Sequence, residues 1–152
     1  MPLFPLFANL QGRAVLVIGG GEVATRKVLA LLKAQAHIRL YAHALSPELA
    51  QLLQAGRFEQ MTGEFDPAWI DTVWLVVAAT DDVDLNQRVA AAAGARQRLV
   101  NVVDDAELST YQVPAIVDRD PLVIAISSAG AAPMLARRGA PGRRRRARSR
   151  PP

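Results

Sequence analysis

The sequence contains no cysteine. Disulfides, thiolate zinc sites, iron–sulfur clusters and cysteine nucleophiles are therefore excluded. A reducing cytosol is compatible with that absence. Histidine is nearly as scarce: His37 and His43 stand apart, as a strand residue and a loop residue, and suggest no metal site. No apolar run approaches the ~18 residues that a membrane-spanning helix needs. The alanine-rich run Val89 to Ala95 is short, lies between Arg88 and Arg96, and reads as a packed helix. Met1 to Leu10 carries no basic region and no long apolar run, so no signal peptide is expected. The expectation is a cytoplasmic protein without a membrane partner. Acidic residues are missing from the end of the chain. All 14 of them, but only 12 of the 18 basic residues, precede residue 139, so that part carries −2 while the whole carries +4. The excess of positive charge belongs to Arg143, Arg144, Arg145, Arg146, Arg148 and Arg150. The preceding part gives no reason to expect nucleic acid.

What is present is an alternation of strand and helix signals. Arg13 to Ile18 is a branched apolar run that enters three glycines, as a buried parallel strand does before a tight turn. Glu22 to Ala34 has helical spacing, with Val23, Leu29 and Leu32 and the small Ala24, Ala30 and Ala34 free to face a sheet. His37 to Tyr41 is a second strand. Ser46 before Pro47 starts a helix that ends near Gly56. Phe58 to Thr62 is a third, weaker strand, and Asp66-Pro67 opens a short turn through Ile70. Trp74 to Ala79 reads as a central strand. Asp81 or Asp82 caps a helix to about Ala93, which Gly94 ends. Leu99 to Val103 is the fifth strand. The class is α/β, a Rossmann-type doubly wound parallel sheet over residues 1–112. Val113 to Val117 and Leu122 to Ser127 then form a hairpin or open a small second α+β domain over 113–138. They are separated by Asp118-Arg119-Asp120-Pro121, and Pro133 starts a further helix.

Gly19-x-Gly21-x-x-Ala24 is the strongest local motif. The first glycine permits the tight turn, the second lets backbone approach a pyrophosphate, and Ala24 permits close packing of helix on sheet. The helix start, with Glu22 and Val23, offers unpaired N–H groups to phosphates. The bland alternative is a glycine-rich turn with no cofactor. The acidic residue that normally binds the adenosine ribose is missing, because the second strand ends Arg39-Leu40-Tyr41-Ala42-His43. The ribose then falls to the His43-Ala44 turn. Arg39 is either a partner for a 2′-phosphate or a solvated strand charge.

Several segments together resemble one family. They are Leu6-Phe7, Leu10-Gln11-Gly12-Arg13, Val17-Ile18-Gly19-Gly20-Gly21-Glu22-Val23-Ala24 and Arg26-Lys27. Further on come Ala78-Ala79-Thr80-Asp81-Asp82, Asn86-Gln87-Arg88-Val89, Asn101-Val102-Val103-Asp104 and Pro114-Ala115-Ile116-Val117-Asp118-Arg119. The last are Ile124-Ala125-Ile126-Ser127-Ser128-Ala129-Gly130, Pro133 and Leu135-Ala136-Arg137. Residues 3 to 138 are similar to the precorrin-2 dehydrogenase and sirohydrochlorin ferrochelatase module, found alone or at the N-terminus of siroheme synthase. The resemblance implies NAD-dependent oxidation of precorrin-2 to sirohydrochlorin. It also implies insertion of ferrous iron, as a substrate, to give siroheme. It makes Asp104 the key carboxylate, a proton acceptor at the end of the fifth strand, with Asp105 as the alternative and a turn cap as the structural reading. Thr80 and Asp81 either line the nicotinamide side of the cleft or only cap the next helix. Asn101 joins the substrate side. Ser127, Ser128 and Gly130 either receive tetrapyrrole carboxylates or form an ordinary turn.

The family also implies a helical region for dimerisation beyond Arg138. Gly139-Ala140-Pro141-Gly142 and an arginine run stand in its place, which weakens the expectation of a homodimer. Residues 139–152 have no apolar face and read as a basic disordered tail. That tail is either a truncated or out-of-frame coding end, or a genuine segment for acidic surfaces. Two rival functions stay open. One is a non-catalytic NAD-binding sensor. The other, a different small-molecule dehydrogenase, would need a catalytic His, Lys or Tyr, and Tyr111 lacks a Tyr-x-x-x-Lys partner.

Overall fold

The computed structural model describes residues 3–128. The expected helix at Pro133, Gly130 and the segment 139–152 lie outside the described residues. The chain divides into two compact units, one spanning Leu6–Gln112 and a second that contains the hairpin.

In the first unit, β1 (Ala14–Ile18) leads into α1 (Glu22–Lys33), β2 (His37–Tyr41), α2 (Pro47–Gln54) and β3 (Glu59–Met61). A 3-10 helix (Pro67–Ile70), β4 (Leu75–Ala78), α3 (Val83–Ala95) and β5 (Leu99–Val102) complete it. The five strands are parallel in the order β3-β2-β1-β4-β5. This is the expected doubly wound architecture, with β1 at the centre and β4 between β1 and β5.

Pleating divides β1 between two cores, since successive side chains point to opposite faces. Leu16 and Ile18 join Val76, Ala78, Val89, Ala93 and Ile70 on the α3 side. Val15 and Val17 join Ala24, Val28, Leu40, Leu49 and Val77 on the side of α1 and α2. Both faces are covered, which explains why β1 and β4 read as unbroken apolar runs. The register pairs Ile18 with Tyr41 and Ala78, and Ala78 with Val102. The carboxyl ends of four strands therefore share one edge of the sheet.

Three expectations need adjustment. Gly94 does not end α3. The helix runs to Ala95 and is capped by Arg96, whose backbone N–H donates to Ala93 O and Gly94 O while its side chain donates from Nη1 to Ala92 O at 3.2 Å and pairs with Asp71. The left-handed residue that follows is Gln97, at φ 54°. Trp74 precedes β4 and is 57% exposed, with the Arg13 guanidinium over its ring at 4.3 Å. The third strand is three residues long, shorter than Phe58 to Thr62.

In the second unit, β6 (Ala115–Arg119) and β7 (Leu122–Ile126) pair antiparallel. The connection narrows to Asp120 and Pro121, because Asp118 and Arg119 pair with Val123 and Leu122.

Candidate functional site

The shared edge opens into a cleft of about 320 Å³ between the loops after β1, β2 and β4. Gly19, Gly20, Gly21, Glu22 and Val23 line it from the first loop, Tyr41 to Ala44 from the second, and Ala79, Thr80 and Asp81 from the third. Cofactor candidates from three separate stretches of sequence thus come together. Ala24 is the exception: it is fully buried beneath α1 and packs the helix against the sheet.

The glycines act differently. A Cβ at Gly19, where φ is +128°, would collide with the Ala79 carbonyl. One at Gly20 would collide with Ala44 O and crowd the Ala42 side chain. At Gly21 it would meet nothing within 4 Å. The first two glycines let neighbouring loops close on the turn, and the third leaves open space above the start of a helix.

That helix start lacks a cap. Ser46 accepts from Leu49 N in α2, Asp66 from Ala68 N in the 3-10 helix, and Asp82 from Leu85 N in α3. Gly21 caps α1 with no side-chain hydrogen bond. The N–H groups of its first turn therefore face the cleft unspent, together with the positive end of the helix dipole. An anionic group of pyrophosphate size fits this arrangement.

The second loop brings no carboxylate to the cleft. Ala42, His43 and Ala44 line it there, and the loop is pinned by Ser46 N donating to Gly20 O at 2.7 Å. The Ser46 and Thr25 hydroxyls meet at 2.8 Å, a link between α1 and α2 that local sequence patterns do not reveal. Arg39 lies away from the cleft, donating to Thr72 Oγ1 at 2.7 Å and facing Glu59 at 3.6 Å. It is a paired strand charge, so the 2′-phosphate partner raised for it has no support in the geometry.

At the third loop, Asp82 caps α3 and leaves Asp81 exposed at the cleft. Thr80 Oγ1 accepts from Asp82 N at 3.1 Å, and its carbonyl accepts from Asn86 Nδ2 at 2.9 Å, so Thr80 also braces the turn.

Asp104 follows β5 at the same edge of the sheet, outside the lining of the cleft. Its φ of 62° is left-handed, a conformation that aspartate tolerates better than most residues. Among the described residues its carboxylate has no hydrogen-bond partner. Asp105 differs, since its Oδ1 accepts from Leu108 N at 3.0 Å. Asn101 donates from Nδ2 to Tyr111 O at 3.2 Å, bracing the segment that returns past β5. The Tyr111 ring packs against the core under α1, and burial raises its phenol pKa. Ser127 and Ser128 follow β7 in the second unit.

Sequence reading assigned Lys27 no role of its own. Burial lowers its pKa, the neighbouring Arg26 lowers it further, and Asp104 acts in the opposite direction. Its place on the helix was the available signal.

Among the described residues no helix is long and apolar enough to cross a membrane, and no group of three or more His, Cys, Asp or Glu is placed to hold a metal.

Residues 6–115 match the model of an NAD(P)-binding family. Siroheme synthase 1 of Cronobacter sakazakii is 55% identical over 90% of this chain and 29% of its own length. Siroheme synthase of Chromobacterium violaceum is 51% identical over the same shares. The chain thus spans less than a third of the siroheme synthases it matches. Among solved structures, SirC, a precorrin-2 dehydrogenase, superposes with a TM-score of 0.76 at 31% identity, over 90% of this chain and 67% of that one. The chain belongs to the NAD(P)-binding family shared by siroheme synthase and the precorrin-2 dehydrogenase SirC.

Proposed function

We propose that this chain is an NAD-dependent dehydrogenase that oxidises precorrin-2 to sirohydrochlorin. One observation carries the reading: the uncapped start of α1 and the unspent Asp104 carboxylate lie on the same edge of one sheet. The first holds a dinucleotide, and the second takes a proton beside it. When bound, NAD supplies a hydride acceptor. Gly21, Glu22 and Val23, which line the cleft, would hold its pyrophosphate by backbone, Ala42 to Ala44 would flank the adenosine ribose, and Thr80 and Asp81 would lie on the nicotinamide side. Oxidation removes a hydride and a proton from the macrocycle, and Asp104 accepts the proton. Asn101 acts through the chain around it, by bracing the Tyr111 segment. Ferrous iron insertion into the product is proposed on family membership, with Asp104 as the carboxylate available to it.

A homodimer belongs to the same proposal. It is supported by Ile116, Leu122, Val123 and Ile124, which leave the hairpin largely apolar and exposed. A cytoplasmic location is likewise proposed, on the biosynthetic role.

The test compares Asp104→Asn with Asp105→Ala for NADH formation from precorrin-2. Asp104→Asn keeps a residue that tolerates left-handed backbone but removes the base. Its turnover is expected to fall ~10²–10⁴-fold with NAD affinity unchanged. Asp105→Ala is expected to lose about 1 kcal/mol of stability with its hydrogen bond and to keep turnover. An active Asp104→Asn protein refutes the assignment. An inactive parent protein that still binds NAD favours a sensor.

A further inference from the structure

The buried stripe of α1 runs through Ala24 and Val28. At about 100° of rotation per residue, Thr25 and Lys27 flank that stripe on opposite sides, and Arg26 points away from it. The Thr25 hydroxyl meets Ser46, which fixes its side as that of β2 and α2. Lys27 therefore faces the β4–β5 side, where the chain emerges from the sheet at Asp104. The two side chains interact electrostatically there. Among the described residues neither is consumed by a hydrogen bond or a direct salt bridge. Lys27 is half-buried on the helix flank, while Asp104 is exposed.

The charges around this point are unbalanced. The cleft lining contains Glu22 and Asp81 and neither lysine nor arginine. Asp104 adds a third carboxylate at the same edge. A substrate that itself carries many carboxylates would be repelled by this edge unless a cation received it.

We propose that Lys27 anchors a carboxylate of the tetrapyrrole substrate, holding the macrocycle with its edge beside Asp104. The proposal rests on the dehydrogenase reading and adds to it the group that recognises the substrate class. A half-buried ammonium loses less of its attraction to water than an exposed one, so its pairing with an incoming carboxylate is stronger. Arg26, on the solvent side, cannot substitute, because it points away from the sheet edge.

The experiment uses the full chain and its Lys27→Met and Lys27→Arg variants. Met keeps the apolar stem and removes the charge, and Arg restores the charge. Affinity for a water-soluble octacarboxylate porphyrin is read by fluorescence, NAD affinity by calorimetry, and kcat and KM with precorrin-2 by NADH formation. Lys27→Met is expected to weaken porphyrin binding and raise KM by ~10–100-fold, the loss of one charge-assisted hydrogen bond. NAD affinity should stay unchanged, and Lys27→Arg should recover most of the loss. A fall in kcat with KM and porphyrin affinity intact overturns the anchor, because Lys27 would then act on Asp104 alone. Loss of NAD affinity in Lys27→Met overturns it too. If the parent protein binds NAD but no octacarboxylate porphyrin, the tetrapyrrole reading itself fails and the anchor falls with it. If the parent binds the porphyrin and Lys27→Met binds it equally well, only the anchor is refuted.

Discussion

Three consecutive glycines look interchangeable in sequence, yet the atoms around them differ. Gly19 and Gly20 are pressed against the Ala79 and Ala44 carbonyls, whereas Gly21 faces open space. Gly21→Leu is therefore expected to fold with a near-normal melting temperature and to lose NAD affinity, measured by calorimetry. Gly20→Val should fail to fold stably, because backbone would have to move. A Gly21→Leu protein that binds NAD normally would displace the pyrophosphate from this turn. Tyr111 yields a pH prediction. Burial holds its folded pKa above the ordinary 10.0. Above that pH the unfolded chain releases the phenol proton first, so the folded state holds more protons and stability falls as pH rises. The slope is at most about 1.4 kcal/mol per pH unit. Tyr111→Phe removes the effect, so its denaturation midpoint should decline less steeply than the parent's above about pH 10. Equal slopes would mean that the phenol is solvated. The positions of the glycine motif and of Asp104 were legible because each follows a strand. The difference between Asp104 and Asp105 was not, since it depends on which carboxylate the Leu108 N–H captures.

At the scale of elements, what matters is which helix starts are closed. α2, α3 and the 3-10 helix each spend a side chain on their first turn, and α1 does not. Asp82→Ala is expected to cost about 1 kcal/mol of stability in urea denaturation, with NAD affinity preserved. Ser46→Ala should cost a similar amount and also weaken NAD binding. Ser46 holds both the α2 start and the loop that carries His43 and Ala44, through Thr25 Oγ1 and Gly20 O. If both variants left NAD affinity alone, the second loop would not belong to the cofactor site. These starts were readable because Ser46-Pro47 and Asp66-Pro67 are local signals. The end of α3 was not. Gly94 suggested a stop, but the helix continues to Ala95, and its cap is Arg96, whose side chain pairs with Asp71, 25 residues earlier.

For the molecule as a whole, alternation of strand and helix was enough to indicate a doubly wound sheet, because buried parallel strands lack polar alternation. The order β3-β2-β1-β4-β5 and the approach of Lys27 to Asp104 were not legible. Both depend on which way each crossover turns, and no single segment encodes that. The division into units leads to the last prediction. Every residue of the two hydrophobic cores lies within Leu6–Gln112, as does the whole lining of the cleft. The hairpin contributes Val117 as its buried side chain among the described residues and leaves Ile116, Leu122, Val123 and Ile124 exposed. A protein of residues 6–112 alone should therefore fold cooperatively and bind NAD like the full chain, as judged by thermal unfolding and calorimetry. It should not turn over precorrin-2 if the segment after Gln112 supplies part of the substrate's hold, one of the two roles the family resemblance leaves open for Ser127 and Ser128. Shortening the chain to end at Arg138 should leave melting and NAD affinity unchanged, because the residues removed have no apolar face to bury. If the 6–112 protein is unfolded, the hairpin is part of the core rather than an addition to it. If it oxidises precorrin-2 at the full rate, the substrate needs nothing beyond the sheet edge, with Lys27 to hold it and Asp104 to take the proton.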